Sequence, residues 1–529
     1  MRHDRALSAL APSRPRLPEA PAPVPHASSK LQALWPTIAV ALSALVYGPI
    51  LKNYFFDDDF LHLYNLANNG VVRFLFTPHG GHVLVLRNLI FYASYRVFGL
   101  APLGYFVVVL LTHLANVYLL FLVIRHVTGN APLASVGAAL WGVLPANEGS
   151  LGWYSVYGHV LVTAIGLWLL YDLLQVAELR RSVSHLRLVV WCVLLLAGMT
   201  CFGVGIALAM SFTAVAYVLL ADSPERKKVT AVLSSLTICV PVIYVGLYHL
   251  YAVISGDRAT EPITFWRLVL DWRLNAAMLG ELLVYGASSL IVPHPCSADG
   301  GSLLCYAFPA VCAAGVATLF ACRAGRIRRT LVALVVLLGA TYGIIAAGRA
   351  LLMAAWLHQT MAQASAQPRY HYLGPALMSV ILCLLLREVS RFIFTSWLRR
   401  VAPAVGLCAV LVAQVVTHPA INHHAAARAE VQSVFDTLNS LARQVPDGAD
   451  ICIRNRRFKG IGSLVGPASF PGWAAVFAIT HPLNTIGGRT VHFIEADPQV
   501  RLAAQANPKK RAAGLLVSPD RLPPGCRVF

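Results

Sequence analysis

Residues Leu34 to Phe60 read LWPTIAVALSALVYGPILKNYFFDDDF, and this stretch shows the plan of the whole chain. Its first part, 34–51, is apolar and long enough for a membrane-crossing helix, which takes about 20 residues. Three consecutive carboxylates, Asp57, Asp58 and Asp59, follow in an aromatic setting. The stretch therefore predicts a helix that delivers a dense negative charge to a membrane surface.

The composition extends this prediction to most of the protein. The chain has 529 residues, of which 57% are hydrophobic and only 12% are charged, whereas about a quarter of a soluble domain is charged. Its mean hydropathy is +0.65. We predict an all-α polytopic membrane protein with about eleven transmembrane helices, since apolar runs of spanning length recur up to Val416. The predicted spans are 34–51, 103–124, 131–145, 159–176, 187–202, 204–221, 230–252, 304–322, 330–348, 373–387 and 401–416.

The net charge of +19 reflects membrane topology and excludes a nucleic-acid partner, because the basic residues cluster in short segments beside the apolar runs. A cytoplasmic N-terminus places RHVTGN, ELRRSVSHLR and DSPERKKV inside. If the apolar run 274–292 also crossed, CRAGRIRRT would be turned outward. We therefore expect 274–292 to be a re-entrant or interfacial segment within an external loop, 253–303.

Three regions follow from this topology. The Pro-rich, basic segment 1–33 is predicted to be a disordered cytoplasmic tail, with the first span left uncleaved. The membrane domain covers 34–416, with external loops at 52–102 and 253–303. Residues 417–529 are predicted to form a small extracytoplasmic α/β domain, with a helix over 429–448 and strands in TVHFIEA and GLLVS.

Two cysteine pairs lie in these external regions. Cys452 and Cys526 both fall in the C-terminal segment, and Cys296 and Cys305 flank one end of the external loop. In an oxidising compartment each pair is a candidate disulfide.

The residues suited to chemistry share the external face. Like charges as close as Asp57, Asp58 and Asp59 raise the pKa of at least one of them, which suits a catalytic base. The structural alternative is a solvated loop that ends the span. Glu148, at the outer end of the third predicted span, is either a second acid within reach of this cluster or a helix-end carboxylate in water.

His79, His82 and Arg87 follow in the same external loop. We expect them to orient a hydroxylated substrate or to bridge to the aspartates, since the Gly80-Gly81 turn argues against a helical metal site. No metal ligand is assigned among them. Asp57-x-Asp59 imitates a D-x-D motif, so a divalent metal remains an alternative.

Arg369 and Tyr370 stand where another external loop meets the next span. A guanidinium there suits the phosphate of a lipid-linked substrate, because it offers paired donors and a permanent charge. Snorkelling to ordinary headgroups is the alternative. Arg349 is a weaker candidate for the same role, and His113 and Asn116 are expected to join helices by hydrogen bonds.

The order of four segments resembles the N-terminal half of GT-C superfamily glycosyltransferases, with bacterial relatives of protein O-mannosyltransferases the most similar. The segments are FFDDDF (55–60), HVLVLRNLIFYASYRVFGLAPLGYF (82–106), LLTHLANVYLLF (110–121) and LWGVLPANEGSLGW (140–153). Beyond about residue 180 only the topology and PRYHYL (368–373) agree.

The resemblance implies an inverting transferase that uses a polyprenyl-phosphate sugar, with Asp58 or Asp59 as the base and Glu148 as the second acid. Its location would be a bacterial inner membrane, with the site on the periplasmic face. The expected partners are membrane lipid, the lipid-linked donor, and a protein, lipid or glycan acceptor. Two alternatives of other classes stay open: a transporter or flippase of lipid-linked sugars, and a non-catalytic membrane scaffold.

Overall fold

The computed structural model describes residues 29–55, 58–68, 70–79, 82–179, 182–255, 271–292, 303–393 and 398–417, with three short strands and a few isolated positions besides. Asp57, Gly80 and Gly81 lie outside the described residues, as does most of the predicted tail 1–33.

The described part of the chain is almost entirely helical. Its α-helices are α1 (Ser29–Tyr47), α2 (Asp58–Asn68), α3 (Val71–Phe76), α4 (Val85–Phe98), α5 (Pro102–Thr128), α6 (Ala131–Gly142), α7 (Glu148–Leu151), α8 (Gly158–Leu179), α9 (His185–Met199), α10 (Gly203–Leu219), α11 (Arg226–Ser255), α12 (Trp272–Ser288), α13 (Leu303–Cys322), α14 (Arg326–Leu351), α15 (Met361–Ser365), α16 (Leu373–Ile393) and α17 (Leu398–Thr417). Short 3-10 turns at Tyr154–Val156 and Pro368–Tyr370, and a π turn at Leu352–Trp356, matter for the site.

The predicted mostly helical fold is confirmed, and it is consistent with a polytopic membrane protein. Within the described residues, six helices are long and apolar enough to cross a membrane: Leu34–Lys52, Pro102–Thr128, Tyr154–Glu178, Arg226–Tyr251, Leu303–Cys322 and Arg326–Ala355. Each of the other five predicted spans also coincides with a helix. Four of those helices, α6, α9, α10 and α17, are apolar but fall short of that length or window, and α16 carries Arg387, Glu388 and Arg391 near its end. The number eleven therefore stays a prediction.

The α5–α6 hairpin shows how local sequence builds the bundle. Gly129, at φ 64°, ends α5 in the left-handed conformation that glycine adopts without strain. The Asn130 side chain then accepts a hydrogen bond from the Leu133 N–H and starts α6. On α6, an added Cβ at Gly137 would lie 2.4 Å from the Cys383 sulfur, so glycine is what lets α16 pack closely.

The bundle has two ends, called the Asp58 end and the Arg326 end. The Asp58 end carries the described residues of 48–102, together with 143–157, 200–203 and 352–372. The Arg326 end carries the basic turns, and ion pairs join them across the bundle: Arg326 to Glu178, Arg329 to Asp222, and Arg323 to Glu388. The basic segments of the sequence thus share one end, as the topology predicts.

Helix α12 overlaps the run 274–292. The Ser365 hydroxyl donates to the Met278 carbonyl, the Tyr285 ring lies 4.3 Å from the His371 ring, and the Gln414 amide donates to the Ser289 carbonyl. The helix also packs along α14. That 274–292 is an interfacial segment and not a crossing one stays a prediction.

Little of the predicted C-terminal domain is described. Strands β1 (Asp450–Ile453), β2 (His492–Glu495) and β3 (Arg527–Val528) form a parallel sheet in the order β2-β1-β3. Strand β2 confirms the strand predicted in TVHFIEA, while GLLVS and the helix 429–448 lie outside the described residues. An independent domain over 417–529 stays a prediction.

The two predicted disulfides are only partly covered. Cys305, at the start of α13, is disulfide-bonded. Its predicted partner Cys296 lies outside the described residues. The same is true of Cys526, the predicted partner of Cys452.

Candidate functional site

The structure separates the roles of the two described aspartates. Both stand in the first turn of α2, where the helix dipole favours carboxylates. The Asp59 side chain is fully buried, and its Oδ1 accepts hydrogen bonds from both the backbone N–H and the hydroxyl of Ser155, each at 2.6 Å. Asp59 therefore anchors α2 to the turn Tyr154–Val156. Asp57 lies outside the described residues.

Asp58 faces a partly open space and pairs with His79. The His79 Nε2 lies 2.9 Å from Asp58 Oδ2, and the two side chains are 26% and 18% exposed. Among the described residues, Asp58 Oδ1 has no hydrogen-bond partner. The pair agrees with the expectation that a loop histidine bridges to the aspartates, and it occupies one of the two oxygens of Asp58.

The pKa of Asp58 is lowered from its ordinary value. Burial alone would raise this pKa, but the neighbouring positive charges of His79, Arg369 and Arg87 outweigh burial. The direction differs from the one expected of neighbouring carboxylates because these cations dominate the surroundings. Asp58 is consequently ionised at neutral pH.

A tight hairpin places His79 and His82 side by side. Their backbone N–H and carbonyl groups exchange two hydrogen bonds of 2.9 Å, and the two residues between them are the glycines that such a turn requires. Within the described residues no group of three or more His, Cys, Asp or Glu side chains is arranged to hold a metal ion.

Two arginines of the site are bonded to histidines. Arg87 Nη2 lies 3.0 Å from His62 Nε2, and Arg349 Nη2 lies 3.0 Å from His82 Nε2. Burial lowers the pKa of His62 and of His82 well below the usual range, and the adjacent arginine lowers each pKa further. Both imidazoles are therefore neutral and accept a hydrogen bond from the guanidinium.

Arg87 stays charged although it is buried. Its side chain is 1% exposed, and its Nε and Nη1 have no hydrogen-bond partner among the described residues. Burial lowers the pKa of Arg87 to about 10, while Asp58 and Asp59 act in the opposite direction. At neutral pH the guanidinium carries a full positive charge.

Arg369 is the third arginine of the site. Its guanidinium lies 5.4 Å from the ring centres of both Trp153 and Tyr370, a cation–π arrangement. A Cβ at Gly149 would lie 2.4 Å from the Arg369 backbone nitrogen, so this glycine permits the close packing of α7 on the Pro368–Tyr370 turn. The Tyr370 hydroxyl is buried and lacks a hydrogen-bond partner among the described residues.

Glu148 lies in this neighbourhood but in a different layer. It is 8% exposed and begins α7, the helix that packs on the Arg369 turn. Its charge acts on Tyr47 at the end of α1. The described contacts place it beside the first span and the Arg369 turn. That it lies within reach of the aspartates stays a prediction.

Three arginines lie close to the aspartates. Asp58 is within electrostatic range of Arg87, Arg349 and Arg369, and Asp59 is within range of Arg87. In the part of the chain that the structure describes, no carboxylate lies within ion-pair distance of these three arginines. Direct ion pairs among the described residues therefore do not cancel their positive charges.

Sequence reasoning missed His62 and Ser155. His62 lies four residues after Asp58 on α2, which puts both on one face of the helix, so the spacing offered a signal. Ser155 offered none. The prediction that His113 and Asn116 join helices is confirmed: His113 bonds to the Tyr372 hydroxyl at 2.7 Å, and Asn116 donates to the Val160 carbonyl at 2.9 Å.

Comparison with known proteins gives matches among solved structures alone. No family model matches the chain, and no curated protein does. A crystal structure of ArnT from Cupriavidus metallidurans bound to undecaprenyl phosphate covers 92% of this chain and 89% of that one, at 13% identity and a TM-score of 0.46. A crystal structure of the Archaeoglobus fulgidus oligosaccharyltransferase tethered with an acceptor peptide covers 80% of this chain and 58% of that one, at 14% identity and a TM-score of 0.42.

Proposed function

We propose that this protein is a membrane glycosyltransferase that moves a sugar from a polyprenyl-phosphate donor to an acceptor hydroxyl, with inversion and with Asp58 as the base. One observation carries the proposal: among the described residues, an ionised carboxylate with one unbonded oxygen stands beside three arginines that have no carboxylate partner. Such a site combines a proton acceptor with a receptor for a phosphate.

The reaction needs few groups. The acceptor oxygen attacks the anomeric carbon while its proton passes to Asp58 Oδ1. The bond between the anomeric carbon and the phosphate oxygen breaks, and its electron pair stays on the phosphate. The released polyprenyl phosphate gains negative charge, which Arg349 and Arg369 stabilise. These arginines act more strongly in the transition state than in the ground state, because the phosphate charge grows as the bond breaks.

The remaining residues have supporting roles. Asp59 fixes the start of α2 through Ser155, so it positions Asp58 instead of taking the proton. His79 holds Asp58 Oδ2 and turns Oδ1 toward the substrate. Arg87 supplies a buried charge behind the aspartates, and Tyr370, with its unpartnered hydroxyl, and Glu148 lie where sugar or acceptor hydroxyls would be bound. Asp57 completes the proposed substrate-binding set, and His82 supports it indirectly by holding Arg349.

We place this reaction at the periplasmic face of a bacterial inner membrane, where the lipid tail of the donor remains in the bilayer. The acceptor is a protein, a lipid or a glycan. A divalent metal is not required by this scheme, since the arginines neutralise the phosphate.

The test is sugar transfer in proteoliposomes. Purified protein is supplied with a panel of undecaprenyl-phosphate-linked hexoses and pentoses, and the release of undecaprenyl phosphate is measured at matched insertion. Asp58→Asn is expected to lower the rate by about 10²- to 10⁴-fold, the range for losing a general base. Asp59→Asn keeps an oxygen that can accept from Ser155, so it should lower the rate much less.

Asp222→Asn at the Arg326 end serves as the matched control and should leave the rate unchanged. Full activity of Asp58→Asn would refute the assignment of the base. A donor that every variant only carries across the bilayer would identify a flippase, and a donor that none of them touches would favour a scaffold.

A further inference from the structure

We infer that His62 and His82 are positioning residues that hold Arg87 and Arg349 in place without cancelling their positive charge, so that the site is left open for an anionic ligand. The proposed function enters this inference only in naming a lipid-linked phosphate as that ligand.

The first argument is the choice of partner. A guanidinium can be fixed either by a carboxylate, which neutralises it, or by a neutral acceptor, which does not. His62 and His82 each accept one hydrogen bond through Nε2, at 3.0 Å. A neutral imidazole offers one lone pair and no charge. The arginine is thereby oriented while its field remains available.

The second argument is that packing fixes both imidazoles. The His62 ring lies edge-on to the His79 ring at 4.7 Å, and within 5.6 Å of the Phe91 ring. The His82 ring lies 4.9 Å from Phe202. These contacts aim each Nε2 at its arginine.

Two further contacts hold the His82 hairpin. An added Cβ at Gly203 would lie 2.7 Å from His82 Cε1, so glycine makes room for the imidazole at the start of α10. The Val83 N–H donates to the Tyr244 hydroxyl at 3.2 Å, which ties the hairpin to α11. These two contacts fix the position of the His82 side chain between α10 and α11.

The third argument is the cost of the arrangement. A buried charge without a direct ion pair is unfavourable. Arg87 is buried with two nitrogens that have no hydrogen-bond partner among the described residues, and the charges of Asp58 and Asp59 offset its burial only in part. An anion bound near Arg87 would add further negative charge and offset more of this cost.

The neutral state of the histidines does not depend on a narrow pH range. Charged or titratable groups around His62 are Arg87 and His79, and around His82 they are Arg349, His159, His79 and Arg87. All of these groups are cationic or neutral, so protonation of either histidine would add electrostatic repulsion to the cost of burying a charge. Both histidines therefore act as fixed neutral acceptors.

The test compares two substitutions at one position. Binding of undecaprenyl phosphate to the purified full-length protein in nanodiscs is measured with a labelled lipid, with undecaprenol as the uncharged control and inorganic phosphate as competitor. His82→Gln keeps an acceptor near the Nε2 position and should weaken binding by no more than about threefold. His82→Glu places a carboxylate on Arg349 and should weaken binding by about tenfold or more, the scale of one charge-assisted hydrogen bond. Competition by inorganic phosphate shows whether the headgroup suffices or the lipid is also needed.

A double-mutant cycle separates charge from folding. If His82→Glu acts through Arg349, it should have almost no further effect in an Arg349→Gln background. His62→Glu provides the second site, in case His82→Glu does not insert. Equal binding by wild type and His82→Glu would overturn the inference, and so would an equal loss in His82→Gln and His82→Glu, because the imidazole would then contact the ligand itself.

Binding and transfer can fail separately. A protein that binds undecaprenyl phosphate with this pattern but transfers no sugar would keep the inference and refute the proposed function. A protein that transfers sugar but binds equally well with glutamate at position 82 would do the reverse.

Discussion

Both ends of the helical bundle are rich in arginine, but the two ends pair their arginines differently. At the Arg326 end, arginines meet carboxylates: Arg326 lies 2.7 Å from Glu178, and Arg329 lies 2.6 Å from Asp222. At the Asp58 end, Arg87 and Arg349 meet neutral histidines instead. The named arginines are paired with carboxylates at one end and with neutral histidines at the other.

The proposed function gives the two arrangements different uses, a structural one at the Arg326 end and a ligand-binding one at the Asp58 end. Glu388 is fully buried and faces Arg323 at 3.0 Å and Arg391 at 2.7 Å, so it joins α13 to α16 within one ionic network. Among the described residues of the Asp58 end, no carboxylate is shared in this way, since Asp58 bonds to His79. Retained charge costs stability, and such costs are typical of functional sites.

Removing one arginine from each end tests directly whether the arginines of the two ends have different roles. Arg369→Gln and Arg349→Gln should each lower transfer by about 10²- to 10³-fold, the effect of losing one donor to a developing oxyanion. Arg329→Gln removes the same charge from the Arg326 end and should leave transfer within about twofold, since its ion pair is exposed. The measurement is undecaprenyl phosphate release at matched insertion. Equal losses of transfer in all three variants would mean that Arg349 and Arg369 contribute no more to transfer than Arg329 does.

The next largest effect is expected on stability at the Arg326 end. Glu388→Gln leaves Arg323 and Arg391 facing each other without their shared carboxylate. We expect the free energy of unfolding to fall by about 2–3 kcal/mol, below the full cost of breaking a buried pair because both arginines are partly exposed. Unfolding in mixed detergent–dodecyl sulfate micelles would measure it. Glu178→Gln, in a half-exposed pair, should cost less than about 1 kcal/mol, and the reverse order would contradict the assignment of Glu388 as the anchor.

Parts of both ends could be predicted from the sequence. Short-range patterns sufficed for the apolar runs, for the shared end of the basic segments and for the bridge from the loop histidines to the aspartates. His62 was also within reach, because it lies four residues from Asp58. The pattern needed for each of these spans only a turn or a single segment.

The pairings that give the site its charge could not be predicted. Asp59 and Ser155 are 96 positions apart, and His82 and Arg349 are 267 positions apart. Such contacts depend on how the helices pack, which no local spacing encodes. For this reason Asp58 and Asp59 look equivalent in the sequence but differ in the structure, where one is anchored and the other has a free oxygen.

The pH dependence of transfer can be compared for the two ends, because the described residues of each end include a histidine–carboxylate pair. These pairs are His79 with Asp58 and His126 with Glu178. The pKa of Asp58 lies below its ordinary value of 3.8, since burial raises it less than His79, Arg369 and Arg87 together lower it. Ionised Asp58 is present above that lowered pKa and is lost as the pH falls through it. His79→Ala removes one of the lowering charges, so the acid limb of the transfer rate should move to higher pH.

His126→Ala is the matched change at the Arg326 end and should leave the pH profile of kcat/KM unchanged. A limb that stays in place in His79→Ala would show that His79 does not control the base. A limb that moves in both variants would point to a general effect of charge.

The smallest expected effect concerns the backbone of the turns. At the Arg326 end the described residues with positive φ are glycines, Gly129 at φ 64° and Gly325 at φ 68°. At the Asp58 end they are Gly99 at φ 58° and, in the turn after α14, His358 at φ 52°. A side chain in this conformation costs about 1–2 kcal/mol, part of which glycine returns through its more flexible unfolded state. His358→Gly should therefore raise the free energy of unfolding by about 0.5–1 kcal/mol. Gly325→Ala, where an added Cβ meets nothing within 4 Å, should lower it by about 1 kcal/mol through conformation alone. A loss of stability in His358→Gly would contradict this expectation. So would a loss of transfer at unchanged stability, because the turn at His358 would then be needed to position Arg349 and Arg369.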